Sequence, residues 1–482
     1  MAISTASVEL PEELWLKIFG YFYEMKTILI IRRVCRKWYF LSYDSSLQDI
    51  MYFNITSKQI TESNFSKFLS YINFLPCAHL FFNDQELLTD EMLEEIVRTN
   101  SSIRVLSLVR CHKITDKGFK CIADIKQLEG LRIHCSNFTD ESIIYLSERM
   151  PGLKYLAVDA KCCLTNNSLK AIEQFPNLKH LEFTFFRRSS SQDRILPRYY
   201  NLKNLKKLEN FRIITDFRII KSIISSLRFS NLSTLEFWNL PEECDNALSV
   251  VLKNTQCLKN VYLNECRVSG RFINTPHNLK ELEFKDCKRL NAHFYSFFKK
   301  NVELDFLLIT VTPACDVNTS FSFVKKLNVV LSTEIFDFSN YFPRYSFLNS
   351  NHLVSLEIIA SKDKEIVIDQ SCLEVVFSKC QSLKELKIVG ITFSNTSSLS
   401  LQENFSIRTF TVKFLKNVDE IAVEKIAIAL PNLLSVEYYG EPNFIWTFRR
   451  HCNYLLNIAG YVLIKEPAAP TPPSRFWNCN IV

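Results

Sequence analysis

The sequence predicts an α/β solenoid, in which stacked repeats form a curved molecule with parallel strands inside and helices outside. Three observations lead to this prediction: a short apolar motif that recurs, a near-constant spacing between its copies, and amphipathic stretches between them. The motif is clearest in residues 103–111, where apolar side chains occupy the first, fourth and sixth positions. Because side chains alternate along a strand, Leu106 and Leu108 are expected to enter the core, and Ser107 to face the other way.

Fourteen copies of this motif run through the chain. Their first apolar residues are Ile103, Leu128, Leu153, Leu178, Leu208, Leu232, Leu258, Leu279, Leu304, Val324, Leu353, Leu383, Ile407 and Leu433. Consecutive copies lie about 20 to 30 residues apart, the length range of leucine-rich repeats. Since one repeat cannot cover its own apolar face, the copies are expected to stabilise one another by stacking. Residues 103–464 are thus predicted to form leucine-rich repeats with a C-terminal cap, after a linker with degenerate first repeats at 54–102.

The repeat pattern also assigns structures to particular positions. Cysteine recurs where the strands turn, and a small buried residue suits such a tight turn. These turn cysteines are Cys111, Cys266 and Cys287. Apolar residues at helical spacing predict helices at 63–75, 89–99 and 444–457.

The composition indicates a protein without concentrated charge. Lys and Arg number 58 against 51 Asp and Glu, so the net charge of +7 is spread over 482 residues. Nucleic-acid binding usually requires a concentrated basic face, so no nucleic-acid partner is predicted. The first ten residues lack the basic start and apolar run of a signal peptide, and no stretch reaches about 18 apolar residues. We therefore expect reduced cysteines, a cytoplasmic or nuclear location and no membrane association.

The sequence contains no recognisable group of residues for covalent chemistry. Its eight glycines are too widely spaced for the glycine-rich loops that hold phosphates. The patterns H-E-x-x-H, G-x-S-x-G and C-x-x-C, which mark zinc proteases, serine hydrolases and redox or metal sites, do not occur. We therefore expect no enzymatic activity, no cofactor and no bound metal.

The N-terminus is predicted to be helical. Residues 1–9 are polar and expected to be disordered, and a helix is expected to begin at Pro11, because proline suits a first helical turn. Leu14, Ile18 and Phe22 follow at four-residue spacing and place apolar side chains on one helical face. Residues 10–53 are too few to be very stable alone, so they are expected to pack against another part of the chain.

Three short motifs stand out in this helical segment: Leu10-Pro11, Ile18-Phe19 and Val34-Cys35-Arg36-x-Trp38. At these spacings the segment resembles an F-box, which covers about residues 8–53. In that family the helical face binds the Skp adaptor of Skp/cullin/F-box ubiquitin ligases. The adaptor contacts that the resemblance implies are Leu10, Pro11, Leu14, Ile18, Val34, Cys35 and Trp38. The family usually has Leu-Trp near the end of the motif, where this chain has Leu47-Gln48.

An F-box followed by leucine-rich repeats resembles the substrate-recognition subunits of SCF (Skp/cullin/F-box) E3 ubiquitin ligases. This resemblance implies a non-catalytic subunit that binds the Skp adaptor, and through it a cullin, while the repeats hold an unknown protein target for ubiquitination and proteasomal degradation. Two alternatives stay open. One is a leucine-rich-repeat scaffold without a ligase role, and the other is an inhibitor-type binding protein in which residues 8–53 only cap the repeats.

The repeats are expected to bind the target with the concave strand face, through side chains that lie between the core positions. Aromatic and arginine side chains carry much of the binding energy at protein interfaces. The predicted target-binding residues are Arg104, Arg132, Tyr155, Arg212, Trp238 and Tyr262.

Further hypotheses concern an insertion and the C-terminal tail. The insertion at 187–194, rich in arginine and serine, is predicted to form a rim loop that is either solvated or binds an acidic or phosphorylated target segment. Four prolines within residues 465–482 predict a flexible tail, either free or folded back onto the concave face. The last four residues, beginning at Cys479, have the form of a prenylation site but lack its usual final residue and an upstream basic segment.

Overall fold

The structure, a computed structural model, describes residues 10–22, 24–48, 50–56, 60–74, 78–134, 137–159, 166–185, 202, 204–215, 224, 227–229, 231–241, 244–274, 278–291, 294, 297–298, 303–311, 323–331, 351–360, 366–368, 370–389, 391–393, 401–413, 429–432, 435–439 and 445–449. The chain divides into two compact units. The first comprises Met1–Glu236 and Lys253–Cys257, and the second comprises Phe237–Leu252 and Leu258–Val482.

The first unit begins with four short helices: α1 (Glu12–Gly20), α2 (Met25–Ile31), α3 (Arg36–Leu41) and α4 (Ser45–Gln48). Helix α1 begins directly after Pro11, as predicted, and Glu12 and Glu13 in its first turn complement the positive end of the helix dipole. The buried apolar side chains of these helices include Phe19, Met25, Ile28, Ile31 and Leu47.

Strands and helices then alternate through the first unit. The strands are β1 (Tyr52–Ile55), β2 (His79–Asn83), β3 (Val105–Val109), β4 (Gly130–His134), β5 (Tyr155–Asp159), β6 (His180–Phe185) and β7 (Asn210–Thr215). The helices are α5 (Glu62–Phe74), α6 (Asp90–Thr99), α7 (Asp116–Ile122), α8 (Asp140–Arg149) and α9 (Asn166–Ile172). Each strand pairs in parallel with the next, and helices α5 and α6 confirm the helices predicted at 63–75 and 89–99.

The strand register aligns the repeats residue by residue. Leu106 pairs with Leu131, Leu131 with Leu156, and Leu156 with Leu181, and all four side chains are buried. Leu106 and Leu108 enter the core as predicted, whereas Ser107 lies on the opposite face of β3. Because equivalent leucines stack on one another, each repeat covers the apolar face of its neighbour, which confirms the predicted α/β repeat fold.

The second unit has the same repeat construction. Strand β8 (Thr234–Trp238) crosses the boundary between the units. It is followed by β9 (Asn260–Asn264), β10 (Glu281–Lys285), β11 (Leu304–Val311), β12 (Val324–Leu331), β13 (Ser355–Ala360), β14 (Ile366–Ile368), β15 (Glu385–Val389), β16 (Ile391–Phe393), β17 (Thr409–Lys413), β18 (Ser435–Tyr439) and β19 (Ile445–Arg449). Helices α10 (Asp245–Asn254) and α11 (Gln370–Lys379) and a short 3-10 helix (Arg271–Asn274) connect some of these strands.

The parallel pairing of the second unit proceeds from β9 through β13 to β15, β17 and β18. Strands β14 and β16 form a separate two-stranded parallel sheet. The pairing of β19 differs, because it runs antiparallel to β18.

The helix predicted at 444–457 was wrong in the part that the structure describes, since residues 445–449 form strand β19. Ile445, Trp446, Thr447 and Phe448 are β-branched or aromatic residues, which favour strands. The free edge of β18 offers backbone hydrogen bonds to them, and this pairing overrides the helical spacing of the apolar residues.

The turn cysteines lie where the sequence pattern predicts, and they are buried. Cys111, Cys266 and Cys287 each follow a residue with positive φ, which ends the strand. The thiol of Cys111 donates a hydrogen bond to the carbonyl oxygen of Phe82 on the preceding strand (3.7 Å), and that of Cys287 does the same to Leu263 (3.3 Å). The prediction of small buried turn residues is therefore confirmed.

Candidate functional site

Two surfaces of the first unit contain residues that the sequence singled out, and the first is formed by the N-terminal helices. Trp38 on α3 packs against Trp15 and Phe19 on α1, with ring centroids 4.7 and 5.3 Å apart. These aromatic contacts fix α3 against α1. The side chain of Cys35 accepts a hydrogen bond from the backbone N–H of Trp38 and so caps the start of α3.

Several of the predicted adaptor contacts on this surface are open to solvent. The side chain of Leu14 on α1 is 42% exposed, that of Val34 before α3 is 59% exposed, and Pro11 and Cys35 are also exposed. Leu10, Ile18 and Trp38 are half-buried. Soluble proteins seldom leave so many apolar side chains in water on a small domain without a partner to cover them. Further exposed apolar residues here, which were not among the predicted adaptor contacts, are Tyr21, Phe22, Ile30, Tyr39 and Phe40.

A buried arginine holds the N-terminal helices together. The guanidinium carbon of Arg32, just after α2, lies 3.8 Å from the ring centroid of Tyr43 and 5.1 Å from that of Tyr39. Cation–π attraction of this kind strengthens when the pair is desolvated, and Arg32 is buried. This contact could not be predicted from local spacing, because Arg32 follows α2 whereas Tyr39 lies on α3 and Tyr43 follows α3.

The second surface is the strand face, formed by strand side chains that point away from the leucine core. Its central row consists of the residues four positions after the first apolar residue of each repeat. In β3 to β7 these residues pair in register, in the order Ser107, Arg132, Ala157, Glu182 and Arg212.

Arg132 and Glu182 form a buried ion pair across the central row. The Nη2 atom of Arg132 lies 2.5 Å from Oε1 of Glu182, and the two side chains are only 9% and 5% exposed. Ala157 occupies the row position between them. Because alanine has no atoms beyond Cβ, the arginine reaches over β5 to the strand beyond it.

Other charged groups extend this pair into a network. Arg212 Nη1 lies 3.4 Å from Glu182 Oε2, and Arg212 Nε lies 3.3 Å from Glu236 Oε1. The hydroxyl of Tyr155 donates to Glu182 Oε2 at 3.4 Å. Burial raises the pKa of the Glu182 carboxyl, but the positive charges of Arg132 and Arg212 outweigh burial, and the net pKa is lowered. Glu182 is therefore held as a carboxylate.

The structure thus brings together three of the six predicted target-binding residues, namely Arg132, Tyr155 and Arg212. The acidic residues at the centre, Glu182 and Glu236, were missed. The signal that could have found them is their position, since both lie in the same central row as Arg132 and Arg212.

The other three predicted target-binding residues lie outside this network, although Tyr262 occupies the central-row position of its own repeat in the second unit. Arg104 precedes β3, one position after the first apolar residue of its repeat, and its backbone carbonyl accepts hydrogen bonds from Glu129 and Gly130. Trp238 ends β8 and Tyr262 lies in β9. The hydroxyl of Tyr262 donates to the Glu281 carboxylate on β10.

Three further features considered in the sequence are membrane-spanning helices, metal ligands and the segments near the insertion and the C-terminus. No helix in the described ranges is both long and apolar enough to cross a membrane. Among the same residues, no three or more His, Cys, Asp or Glu side chains gather as metal ligands would. The insertion at 187–194, the tail at 465–482 and Cys479 lie outside the described residues.

Comparison with known proteins supports the N-terminal assignment. The F-box-like family matches residues 8–53, so the chain carries an F-box-like domain. It is 26% identical over 191 residues to the F-box protein SKIP19 of Arabidopsis thaliana, a match that covers 37% of this chain and 61% of the relative. It is 33% identical over 102 residues to the putative F-box/LRR-repeat protein 23 of the same plant, covering 20% of this chain and 23% of the relative.

Solved structures with some likeness include a complex of Rad7 and Elc1 from yeast, with a TM-score of 0.35, 15% identity, and coverage of 81% of this chain and 92% of that one. An internalin (InlF) from Listeria monocytogenes has a TM-score of 0.36, 13% identity, and coverage of 70% of this chain and 91% of that one. The fold assignment rests on the strand registers and not on these likenesses.

Proposed function

We propose that this chain, in which an F-box-like domain precedes leucine-rich repeats, is the substrate-recognition subunit of an SCF-type E3 ubiquitin ligase. The F-box-like domain would bind a Skp adaptor, and through it a cullin, while the repeats would bind the target protein. The chain would catalyse no covalent step itself. Its contribution would be to raise the effective concentration of target lysines near a ubiquitin-loaded enzyme. Such a subunit would act in the cytoplasm or the nucleus.

The exposed apolar surface of the F-box-like domain is the observation that carries this proposal. Leu14 and Val34 lie in water although α1 and α3 are tightly packed through Trp15 and Trp38. A segment that served only to cap the repeats would be expected to bury such side chains against them and to present polar ones to solvent. This arrangement favours a docked partner over the alternative of a plain cap.

The first experiment is a pull-down of the full chain with the Skp adaptor. A Leu14→Asp/Val34→Asp variant should lose adaptor binding, because two charges would enter the apolar interface. The matched control is Ile144→Asp/Val250→Asp, which places the same charges on exposed apolar positions of α8 and α10. The control should bind like the wild type. Failure of the intact chain to bind, or equal binding by both variants, would leave a capped repeat protein as the better description.

Cysteine reactivity gives a second readout of the same surface. Cys35 and Cys257 are both exposed, and only Cys35 is a predicted adaptor contact. Saturating adaptor should therefore protect Cys35 from alkylation by N-ethylmaleimide and leave Cys257 reactive, as peptide mass spectrometry would measure. If the adaptor protected neither cysteine, or protected both equally, the result would argue against docking at this surface.

A further inference from the structure

A shallow groove lies along the edge of the first unit where the strands begin. Its cavity volume is about 380 Å³, within the size range of binding sites for small groups. The residues that line it are Lys126, Gln127, Leu128, Glu129, Gly152, Lys154, Asn177, Lys179 and Lys207. They come from four successive repeats and contain four lysines against one glutamate.

The repeat geometry explains why these lysines gather. Residues that directly follow the first apolar residue of each repeat form a row, named here the leading row, and in the first unit it contains Arg104, Glu129, Lys154, Lys179 and Glu209. Backbone hydrogen bonds connect its neighbours, for example from Lys154 N–H to Glu129 C=O (2.7 Å) and from Lys179 N–H to Lys154 C=O (2.8 Å). Adjacent strands lie about 4.8 Å apart, so side chains of the row are close together.

Only part of this positive charge is neutralised within the unit. Lys154 pairs with Glu129 and Lys179 with Glu209, each with a nitrogen–oxygen distance of 2.9 Å. Lys207 donates a hydrogen bond to the neutral side chain of Asn177 (2.6 Å). Among the described residues, no carboxylate forms an ion pair with Lys126 or Lys207. The groove therefore has excess positive charge.

The floor of the groove has room for a ligand. A Cβ atom added to Gly152 would meet no atom within 4 Å, and Leu128 beneath is buried in the core. The lysines thus surround open space above a rigid base. No aromatic ring occurs among the described lining residues, so the groove lacks the stacking platforms on which proteins bind single-stranded nucleic acid.

The leading row of the second unit also contains more basic than acidic residues. This row includes five basic residues, Lys259, Lys280, Lys325, Lys384 and Arg408, and one acidic residue, Asp305. Asp305 pairs with Lys325 at 2.6 Å. Basic residues therefore outnumber acidic ones in this row of the second unit by five to one, and in the first unit by three to two.

We propose that the leading edge of the first unit, meaning the groove around Lys126, Lys154, Lys179 and Lys207, binds an acidic segment of a protein partner. Clustered anionic oxygens, from carboxylates or from phosphorylated side chains, would bind the four ammonium groups. This inference does not depend on adaptor binding by the F-box-like domain.

The test measures peptide binding to the full chain by fluorescence polarisation. The probes are an oligoglutamate peptide, a phosphoserine peptide of the same length, an oligoglutamine peptide and a single-stranded oligonucleotide. The two anionic peptides should bind, and the tighter of them identifies the source of the negative charge. Oligoglutamine should not bind. Raising ionic strength, which shortens the Debye length from about 30 Å at 0.01 M to about 8 Å at 0.15 M, should weaken binding.

Charge-reversal variants test the location of the binding. Lys126→Glu/Lys207→Glu should weaken anionic peptide binding by about tenfold or more, a change of about 1.4 kcal/mol. The matched control, Lys120→Glu/Lys170→Glu, makes the same charge change at exposed positions of α7 and α9 and should retain binding. Gly152→Asp, which puts a carboxylate into the groove without removing a lysine, should also weaken it.

Two results would overturn this inference. Equal weakening by both lysine pairs would show that the peptide responds only to the net charge of the protein. Tighter binding of the oligonucleotide than of either anionic peptide, with loss in the Lys126→Glu/Lys207→Glu variant, would assign the edge to nucleic acid. Circular dichroism of each variant establishes that the repeats remain folded.

Discussion

Ala157 is a small residue on which the charged network of the strand face depends. Arg132 and Glu182 lie on strands to either side of it, and each strand spacing is about 4.8 Å. An arginine side chain can span both spacings only if the residue between them does not stand in its path. Alanine at position 157 therefore leaves space for the Arg132 side chain to reach Glu182.

The first residue-scale prediction concerns the buried carboxylate. Glu182→Gln keeps the side-chain size but leaves Arg132 buried against a neutral amide. Loss of one partner of a buried ion pair should lower the free energy of unfolding by about 3 kcal/mol. The matched variant Glu129→Gln breaks the exposed pair with Lys154 and should cost less than about 1 kcal/mol. Urea unfolding monitored by circular dichroism measures both, and equal losses would contradict the stated role of burial.

The second residue-scale prediction concerns pH. The pKa of Glu182 in the native state is lowered from its ordinary value of 4.5, so the native state holds the carboxylate more strongly than the unfolded state does. The stabilisation is therefore complete above about pH 4.5 and is lost as pH falls through the lower native pKa. The difference in unfolding free energy between wild type and Glu182→Gln should shrink as pH falls below about 4.5 and through the lower native pKa. A difference that stays constant would contradict the lowered pKa.

At the scale of single elements, an aspartate ladder connects successive helices of the first unit. The first residue of α6, Asp90, accepts hydrogen bonds from Thr115 through N–H (2.9 Å) and hydroxyl (2.6 Å), and Thr115 caps α7. Asp116, the first residue of α7, does the same for Thr139 before α8. The Thr-Asp pair of one repeat thus fixes the start of the helix in the next.

Asp116→Ala tests this ladder. The change removes the acceptor for the backbone N–H and hydroxyl of Thr139 and for the Ser142 hydroxyl. Helix-cap losses and unsatisfied donors predict a decrease in unfolding free energy of about 2 kcal/mol. Asp124→Ala is the control, because Asp124 is an exposed aspartate after α7, and it should change stability by less than about 0.5 kcal/mol. Amide hydrogen exchange should also rise in the first turn of α8, and unchanged protection there would contradict a capping role.

Both units rely on repeat stacking, and the eight cysteines whose side chains the structure describes are all free thiols. Burial raises the pKa of Cys121 and of Cys380 to about 12, and that of Cys287 well above its ordinary value. Protonated thiols are weak nucleophiles. Burial therefore favours the protonated form of these three thiols.

The two proposed surfaces differ in their physical character. The F-box-like domain presents apolar side chains, among them Leu14 and Val34, whereas the leading edge presents lysines above a rigid floor. Apolar surfaces bind by excluding water, and charged grooves bind through complementary charge that salt weakens. The two proposed partners would therefore bind through different forces, and salt should weaken only the second interaction strongly.

Features that repeat with a fixed period, or that occupy adjacent positions, could be predicted from the amino-acid sequence. The spacing of apolar residues placed the strands and the buried leucines, because each repeat must bury the same face. The motifs around Leu10, Ile18 and Trp38 identified the F-box-like domain because they lie within one short segment. The turn cysteines followed from their place at the end of each strand.

Contacts between side chains of different repeats depend on the tertiary structure. Glu182 meets Arg132 from fifty positions away, and Lys126 and Lys207 line one groove from different repeats. Strand β19 likewise depends on pairing with the edge of β18. Such contacts depend on strand register and on the small size of residues between them, such as Ala157 and Gly152. The repeat positions of these residues can be read from the sequence, but the contacts between them require the strand register of the folded repeats.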